Sequence, residues 1–323
     1  MRTLPKPSRA PGEVLLRMRR VGLCGTDYHI FAGNQPYLSY PRVMGHELAA
    51  EVVEADSTSP LAPGQVVTLN PYLACGTCIA CRKGKPNCCT SIEVLGVHTD
   101  GGMCEFLAVP ETAVIPAGTL DLDQAAMVEF LSVGAHAVRR GETAPGSRAL
   151  VVGAGPIGIA VALFARAAGA DVTLVDSNPP RLDYASTAIG IERTVIADDR
   201  LHDTLSALTD GEFFDLVFDA TGNAKAMERG FAYVAHGGTY VLVSVVKQDI
   251  TFADPEFHKR EMRLIGSRNA TGEDFRAVIA AIERGDIPTD AIKTHAFPLE
   301  EAPQRIPELI AEAGTVLKAI AII

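Results

Sequence analysis

No run of basic residues occurs in this chain, no stretch is apolar for long enough to cross a bilayer, and a chain this long does not need disulfides to stay folded. Each absence removes a class of function. Against 39 acidic side chains there are 29 basic ones, a formal charge of -10, so the phosphate-neutralising surface that nucleic-acid binding requires is missing. The longest apolar stretch, "VVGAGPIGIAVALFA", is interrupted by glycines and a proline before Arg166 ends it. No charged segment followed by an apolar one opens the chain, and a cytoplasmic protein without a membrane partner is expected. With 323 residues, two domains can each bury a core without covalent help. Five of the seven cysteines nevertheless crowd into "CGTCIACRKGKPNCC", residues 75–89. In a reducing compartment, clustered thiols in odd total number point to metal ligation rather than to disulfides.

Residues 11–130 alternate short β-type runs ("GEVLLRMRRVG", "LAAEVVEA", "GQVVTLN", "MCEFLAVP") with Gly/Pro loops, which predicts a compact, mostly antiparallel barrel. From Ser147 the rhythm changes. "SRALVVGAG", "DVTLVD", "ERTVIA", "FDLVFDAT" and "GTYVLVSVV" read as strands separated by helix-length segments, the pattern of a doubly wound parallel sheet. The late helical segment "EDFRAVIAAIERG" and the terminal apolar strand "TVLKAIAII" are assigned back to the barrel. The fold class expected is α/β, with a barrel domain of residues 1–132 and 268–323 and a nucleotide-binding domain of residues 133–267.

Cys75, Cys78, Cys81 and Cys89 follow the spacing C-x2-C-x2-C-x7-C in a loop rich in Gly, Lys and Asn. Four thiolates so spaced suit a closed tetrahedral zinc site, which stiffens a lobe but has no open position for chemistry. Cys88 has no place in the tetrad. Elsewhere "GLCGTDYHI" and "YPRVMGHELAAEV" supply Cys24, His46 and Glu47, a thiolate, an imidazole and a carboxylate of the kind that holds catalytic zinc. By spacing alone, a core cysteine and a hydrogen-bonded histidine fit equally well.

"VVGAGPIG" places Gly153, Gly155 and Gly158 at G-x-G-x-x-G, with Pro156 and Ile157 between the last two, directly after a strand and opening a helix. The first Gly permits the tight turn, the second admits a pyrophosphate against the backbone, and the third lets helix pack on strand. Asp176 closes the next strand, where a carboxylate accepts ribose hydroxyls and repels a 2′-phosphate, favouring NAD over NADP. Arg181 either flanks the adenine or ribose or lies solvated on its helix.

Taken together and in order, "CGTDYHI", "GHE", "CGTCIACRKGKPNCC", "VEFLSVGAHAV" and "VVGAGPIG" resemble the zinc-dependent medium-chain dehydrogenases, and within them the sorbitol, polyol and sugar-acid branch. The resemblance covers almost the whole chain. It implies a GroES-like catalytic domain, a Rossmann domain, NAD, and one catalytic and one structural zinc per chain. Cys24 and His46 would ligate the catalytic zinc together with a carboxylate from Glu47 or Glu129, the latter bound directly or through water. Phe130 stands where the family has proline, so the pose of Glu129 is open and the two glutamates are not ranked. Asp27 would accept the second ring N–H of His46, or else cap a helix. Thr26 and His29 would relay the hydroxyl proton, unless His29 is a surface histidine. Ser244 and Arg268 would adjoin the cofactor. Arg268 either orients a substrate carboxylate or paired hydroxyls, or pairs with Glu129 or another carboxylate; His98 is a further candidate for the substrate pocket. The reaction implied is reversible oxidation of a secondary alcohol in a cleft between the domains.

"VLGVHTDGG" and "LIGSRNATGEDF" look most like enzymes that oxidise L-gulonate or L-galactonate at carbon 5. Sorbitol-, xylitol- or galactitol-type polyol dehydrogenases and L-threonine 3-dehydrogenase are the alternatives, and a non-enzymatic zinc-containing relative is the different class. Zinc-free quinone reductases of the same family lack the zinc-binding cysteines. A homodimer or homotetramer joined through an edge strand is implied as well; "GTYVLVSVV" is taken for that strand, though its apolar run fits ordinary burial in a parallel sheet equally well. Also implied is an initial strand pair ahead of "GEVLLRMRRVG", where this chain has "MRTLPKPSRAP"; the barrel is therefore expected to expose an edge.

Overall fold

The computed structural model describes residues 2–34 and 38–323. The chain divides into two compact units: the residues up to Glu129 together with Asn269–Ile323, and Phe130–Arg268. The first contains β1 (Glu13–Leu23), β2 (Glu47–Glu54), β3 (Val66–Leu69), β4 (Tyr72–Leu73), β5 (Glu93–Val94), β6 (Phe106–Pro110) and β7 (Val114–Pro116). The second contains β8 (Arg148–Val152), β9 (Asp171–Asp176), β10 (Arg193–Ile196), β11 (Phe214–Asp219), β12 (Val234–Leu242) and β13 (Arg263–Gly266). The chain then returns to the first unit with β14 (Lys293–Pro298) and β15 (Lys318–Ile322).

In the first unit β1 is the hub. Val14, Leu16 and Met18 lie on the face of the core while Arg17 stays exposed, and Leu15 on the opposite face is buried as well. The strand pairs antiparallel with β2, β6 and β15, in a sheet ordered β14-β15-β1-β2-β3-β7 with β6 attached to β1. Among the described residues of this sheet, β14 and β15 are the one parallel pair. The core gathers Leu48, Val67 and Leu69 against Ile306 and Leu309 of the helix Ala302–Ala311. Among the described residues β6 has β1 as its one strand partner, and the irregular segment before β1 lays Lys6 Nζ 4.2 Å from the centre of the Phe106 ring. The sheet β4–β5 is separate and joins the two ends of the cysteine loop.

The second unit is a six-stranded sheet in the order β10-β9-β8-β11-β12-β13, every pair parallel. This is the doubly wound order 3-2-1-4-5-6, whose direction of winding reverses between β8 and β11 and opens a crevice at their carboxyl ends. The expectation that "GTYVLVSVV" forms an edge is corrected. β12 lies between β11 and β13, and its apolar run is that of an interior strand covered on both faces; the edges are β10 and β13. Among the described residues no helix is long and apolar enough to cross a membrane.

Candidate metal and cofactor sites

Cys24 follows β1 directly and caps the helix Gly25–Phe31: its thiol accepts from Thr26 N at 3.2 Å, while its own N–H donates to Asp27 Oδ2 at 3.0 Å. A reciprocal cap of this kind fixes both side chains at the helix start. His46 precedes β2 and reaches the same point, with Nε2 3.0 Å from Cys24 Sγ. Gly22 of β1 stands opposite Glu47 in the β1–β2 register. A methyl group at Gly22 would lie 2.2 Å from Glu47 Oε2, so glycine there makes room for the carboxylate. The donor atoms of Cys24, His46 and Glu47 lie within 4.8 Å of one another.

These residues fit a metal ion by the chemistry of the set and by one further observation. His46 Nδ1 and Asp27 Oδ1 are both buried without a hydrogen-bond partner, yet they face each other across 3.9 Å. Ligation through Nε2 orients a histidine so that the opposite ring nitrogen donates to a carboxylate, and Asp27 is where that carboxylate is needed. The two readings of Asp27 are thus compatible: Oδ2 caps the helix and leaves Oδ1 facing His46. Burial opposes protonation of His46, but the Cys24 thiolate and the Asp27 carboxylate outweigh it and raise the imidazole pKa well above its ordinary value. A cation is what this cluster attracts.

Glu129 sits in the helix Leu122–Arg140 and is almost fully buried. Phe130 keeps the backbone N–H that proline would lack, and the helix runs through without a break. Its carboxyl is pushed up to about 7, by burial first, with His46 lowering it and Glu47 raising it; it therefore belongs to the same electrostatic neighbourhood. Two residues outside the expected set complete that neighbourhood. Lys318, at the start of β15 and wholly buried, places Nζ 2.6 Å from both Glu47 oxygens and 3.1 Å from Leu23 O. Tyr72 of β4 donates its phenol hydrogen to Glu129 Oε1. Lys318 had a signal in the sequence, a charge inside an apolar strand; Tyr72 had none.

Thr26 and His29 lie one turn apart on the same helix face. His29 is exposed and pairs Nδ1 with Asn34 Oδ1 at 3.0 Å. His98 uses Nδ1 to accept from Val94 N at 3.0 Å, which pins the turn after β5.

The four loop cysteines also gather within 4.8 Å. Backbone N–H groups of Thr77 and Cys78 hold Cys75 down at about 7, those of Cys81 and Thr90 hold Cys78 at about 5, and burial pushes Cys81 up to about 12. Thiolate-stabilising backbone donors around four converging sulfurs suit a closed zinc site. Cys88 is exposed and outside the group.

In the second unit Gly153 follows β8 with φ +107°, a conformation that favours glycine, and a methyl there would press on Ala220 O at 2.9 Å. A methyl at Gly158 would lie 1.6 Å from Gly153 O, whereas one at Gly155 would meet nothing within 4 Å. Gly153 and Gly158 are required by the protein's own packing. Gly155 borders open space at the N-terminus of the helix Pro156–Ala167, which is the room a pyrophosphate needs. Asp176, at the carboxyl end of β9, accepts from Ala154 N at 2.6 Å and from Asn178 N at 2.8 Å, with Arg181 Nη1 3.9 Å away. Ser244 donates to Asp219 Oδ1 at 2.8 Å and accepts from Gly222 N at 2.9 Å, tying together the loops after β11 and β12. Arg268 is exposed just past β13, at the same carboxyl end of the sheet.

Residues 10–119 match the family model described as alcohol dehydrogenase GroES-like domain, and residues 156–284 match that described as zinc-binding dehydrogenase. The chain is 43% identical to the L-galactonate-5-dehydrogenase of Escherichia coli (strain K12), over 92% of this chain and 87% of that one. Among solved structures it is similar to an alcohol dehydrogenase from Escherichia coli CFT073 complexed with NADH, with a TM-score of 0.91 and 26% identity over 98% of this chain and 94% of that one. It is also similar to a zinc-binding dehydrogenase from Sinorhizobium meliloti 1021 bound to NADP, with a TM-score of 0.89 and 28% identity over 100% and 95% of the two chains. With a GroES-like metal unit and a Rossmann unit carrying these sites, the chain belongs to the zinc-dependent medium-chain alcohol dehydrogenase family.

Proposed function

We propose that this protein oxidises a secondary hydroxyl of a sugar acid of the L-galactonate or L-gulonate kind to the ketone, with NAD as hydride acceptor. The observation that carries the reading is the convergence of Cys24, His46 and Glu47 in one cluster with Glu129 nearby, in a chain 43% identical to an L-galactonate-5-dehydrogenase. Cys24, His46 and a carboxylate of Glu47 or Glu129 would hold a zinc ion, which would supply Lewis acidity, while NAD would supply the hydride acceptor. Asp27 holds the His46 ring in the tautomer that leaves Nε2 free to ligate. Thr26 and His29 take the substrate's hydroxyl proton outward, since His29 is exposed and close along the same helix face. Asp176 favours NAD, because a carboxylate fixed at the end of β9 by two backbone N–H groups accepts the ribose hydroxyls and repels a 2′-phosphate. Arg268, a planar fork of donors, suits the carboxylate end of a sugar acid.

The test is NAD reduction followed by absorbance with zinc-replete protein against L-galactonate, L-gulonate, sorbitol, xylitol, galactitol and L-threonine. Activity confined to the two aldonates is expected. Activity on neutral polyols alone would keep the metal and hydride chemistry but overturn the role of Arg268, and activity on L-threonine alone would overturn the substrate class.

A further inference from the structure

We infer that Tyr72 is a positioning residue of this active site, one that carries the order of the cysteine loop to Glu129; the inference rests on the metal reading above and goes beyond it. Tyr72 stands three residues before Cys75, and Val94, its partner in the β4–β5 pair, stands five after Cys89. That pair is therefore the neck of the cysteine loop. The neck is anchored on every side: Tyr72 N donates to Asn70 Oδ1 at 3.1 Å, Leu95 N to Pro71 O at 3.1 Å, and Asn70 N to Ala113 O at 2.8 Å. Inside the loop, Cys75 N donates to Cys89 Sγ at 3.3 Å and closes the two ends upon each other.

From this neck the phenol of Tyr72 reaches across 57 positions of sequence to Glu129 Oε1. Glu129 comes from a different element, the helix Leu122–Arg140, and is buried where it feels the charges of His46 and Glu47. A carboxylate on a long flexible side chain holds one orientation toward a metal only when a fixed donor sets it. Tyr72 is that donor. The closed four-cysteine site, which has no position for chemistry of its own, thereby acts on the catalytic centre through one hydroxyl group. Glu47 is held independently by Lys318, so the two carboxylates have separate supports.

The test is a double-mutant cycle of Tyr72→Phe and Glu129→Gln, read in two ways: zinc release to a chromogenic chelator, which needs no substrate, and kcat and KM on the best alcohol of the panel. Tyr72→Phe is expected to speed release of one of the two zinc ions about 10- to 100-fold, to lower kcat more than it changes KM, and to add nothing further in the Glu129→Gln background. Independent, additive effects, or zinc retention in Tyr72→Phe equal to that of the unaltered protein, would overturn the inference. So would a fall in melting temperature with faster loss of both zinc ions, which marks a structural role only. If no alcohol is oxidised at all, the substrate reading fails while the zinc release still decides the role of Tyr72.

Discussion

Lys318 and Glu47 are a full ion pair with no exposure to solvent, joining β15 to β2 across the intervening β1 of an apolar sheet. Such pairs contribute little net stability over an apolar replacement, but breaking one strands a buried charge. Lys318→Met is expected to destabilise the protein by about 3–5 kcal/mol in urea unfolding, and Glu47→Leu with Lys318→Met to recover most of that loss. If the single and double variants unfold alike, the pair is not what matters at this position. At Asp176 the carboxylate holds the glycine turn, and the proposed choice of NAD rests on the same group. Asp176→Ser is expected to move the ratio of kcat/KM for NAD over NADP by about 10- to 100-fold toward NADP, the worth of a hydrogen bond to a charged group. An unmoved ratio would remove Asp176 from cofactor selection.

At the scale of elements, the glycine turn between β8 and the helix Pro156–Ala167 separates two reasons for having no side chain. Gly158→Ala drives a methyl into Gly153 O and should lower the melting temperature by several degrees, since overpacking costs about 1–3 kcal/mol. Gly155→Ala meets no protein atom and its φ of -77° suits any residue, so it should melt normally yet bind NAD at least about tenfold more weakly, because the methyl occupies the place of the pyrophosphate. Calorimetry of the two variants with and without NAD checks both; equal loss of NAD affinity without any difference in melting would contradict the assignment. The helix Leu122–Arg140 is an element on which sequence reading left the outcome open. Phe130 in place of proline left the pose of Glu129 open, and the helix runs unbroken through both residues because Phe130 keeps the backbone N–H that proline would lack.

For the whole molecule, protonation, stability and metal binding are linked. In the metal-free chain the Glu129 carboxyl rises from 4.5 to about 7, through burial before any other cause. A carboxyl with a higher pKa folded than unfolded favours the fold when protonated, so its contribution is whole below pH 4.5 and is lost as pH climbs through about 7. Thermal midpoints of chelator-treated protein should therefore fall across that window more steeply than those of Glu129→Gln; parallel curves would refute the linkage. Zinc reverses the sign of the effect, because its ligands must be deprotonated, and zinc affinity is expected to weaken as pH drops from 7 to 5.

The sequence alone determined the class of the fold, the four-cysteine loop and the glycine turn with Asp176, because each is written in local spacing or in the period of apolar residues. Those signals act within a few residues, where backbone geometry leaves little choice. Cys24 and His46, by contrast, entered through the family resemblance, since spacing left them open. Which strands lie at an edge, how Glu47 and Glu129 are held, and the parts played by Tyr72, Lys318 and Ser244 were decided only by the tertiary structure. β12 reads as apolar whether it is interior or edge. Lys318 meets Glu47 across 271 positions, and Tyr72 meets Glu129 across 57. A buried charge or phenol needs a partner, but nothing local names it; the fold supplies the partner by bringing distant strands and helices to one point, where an unpaired polar group would cost more than the ordering of the pair.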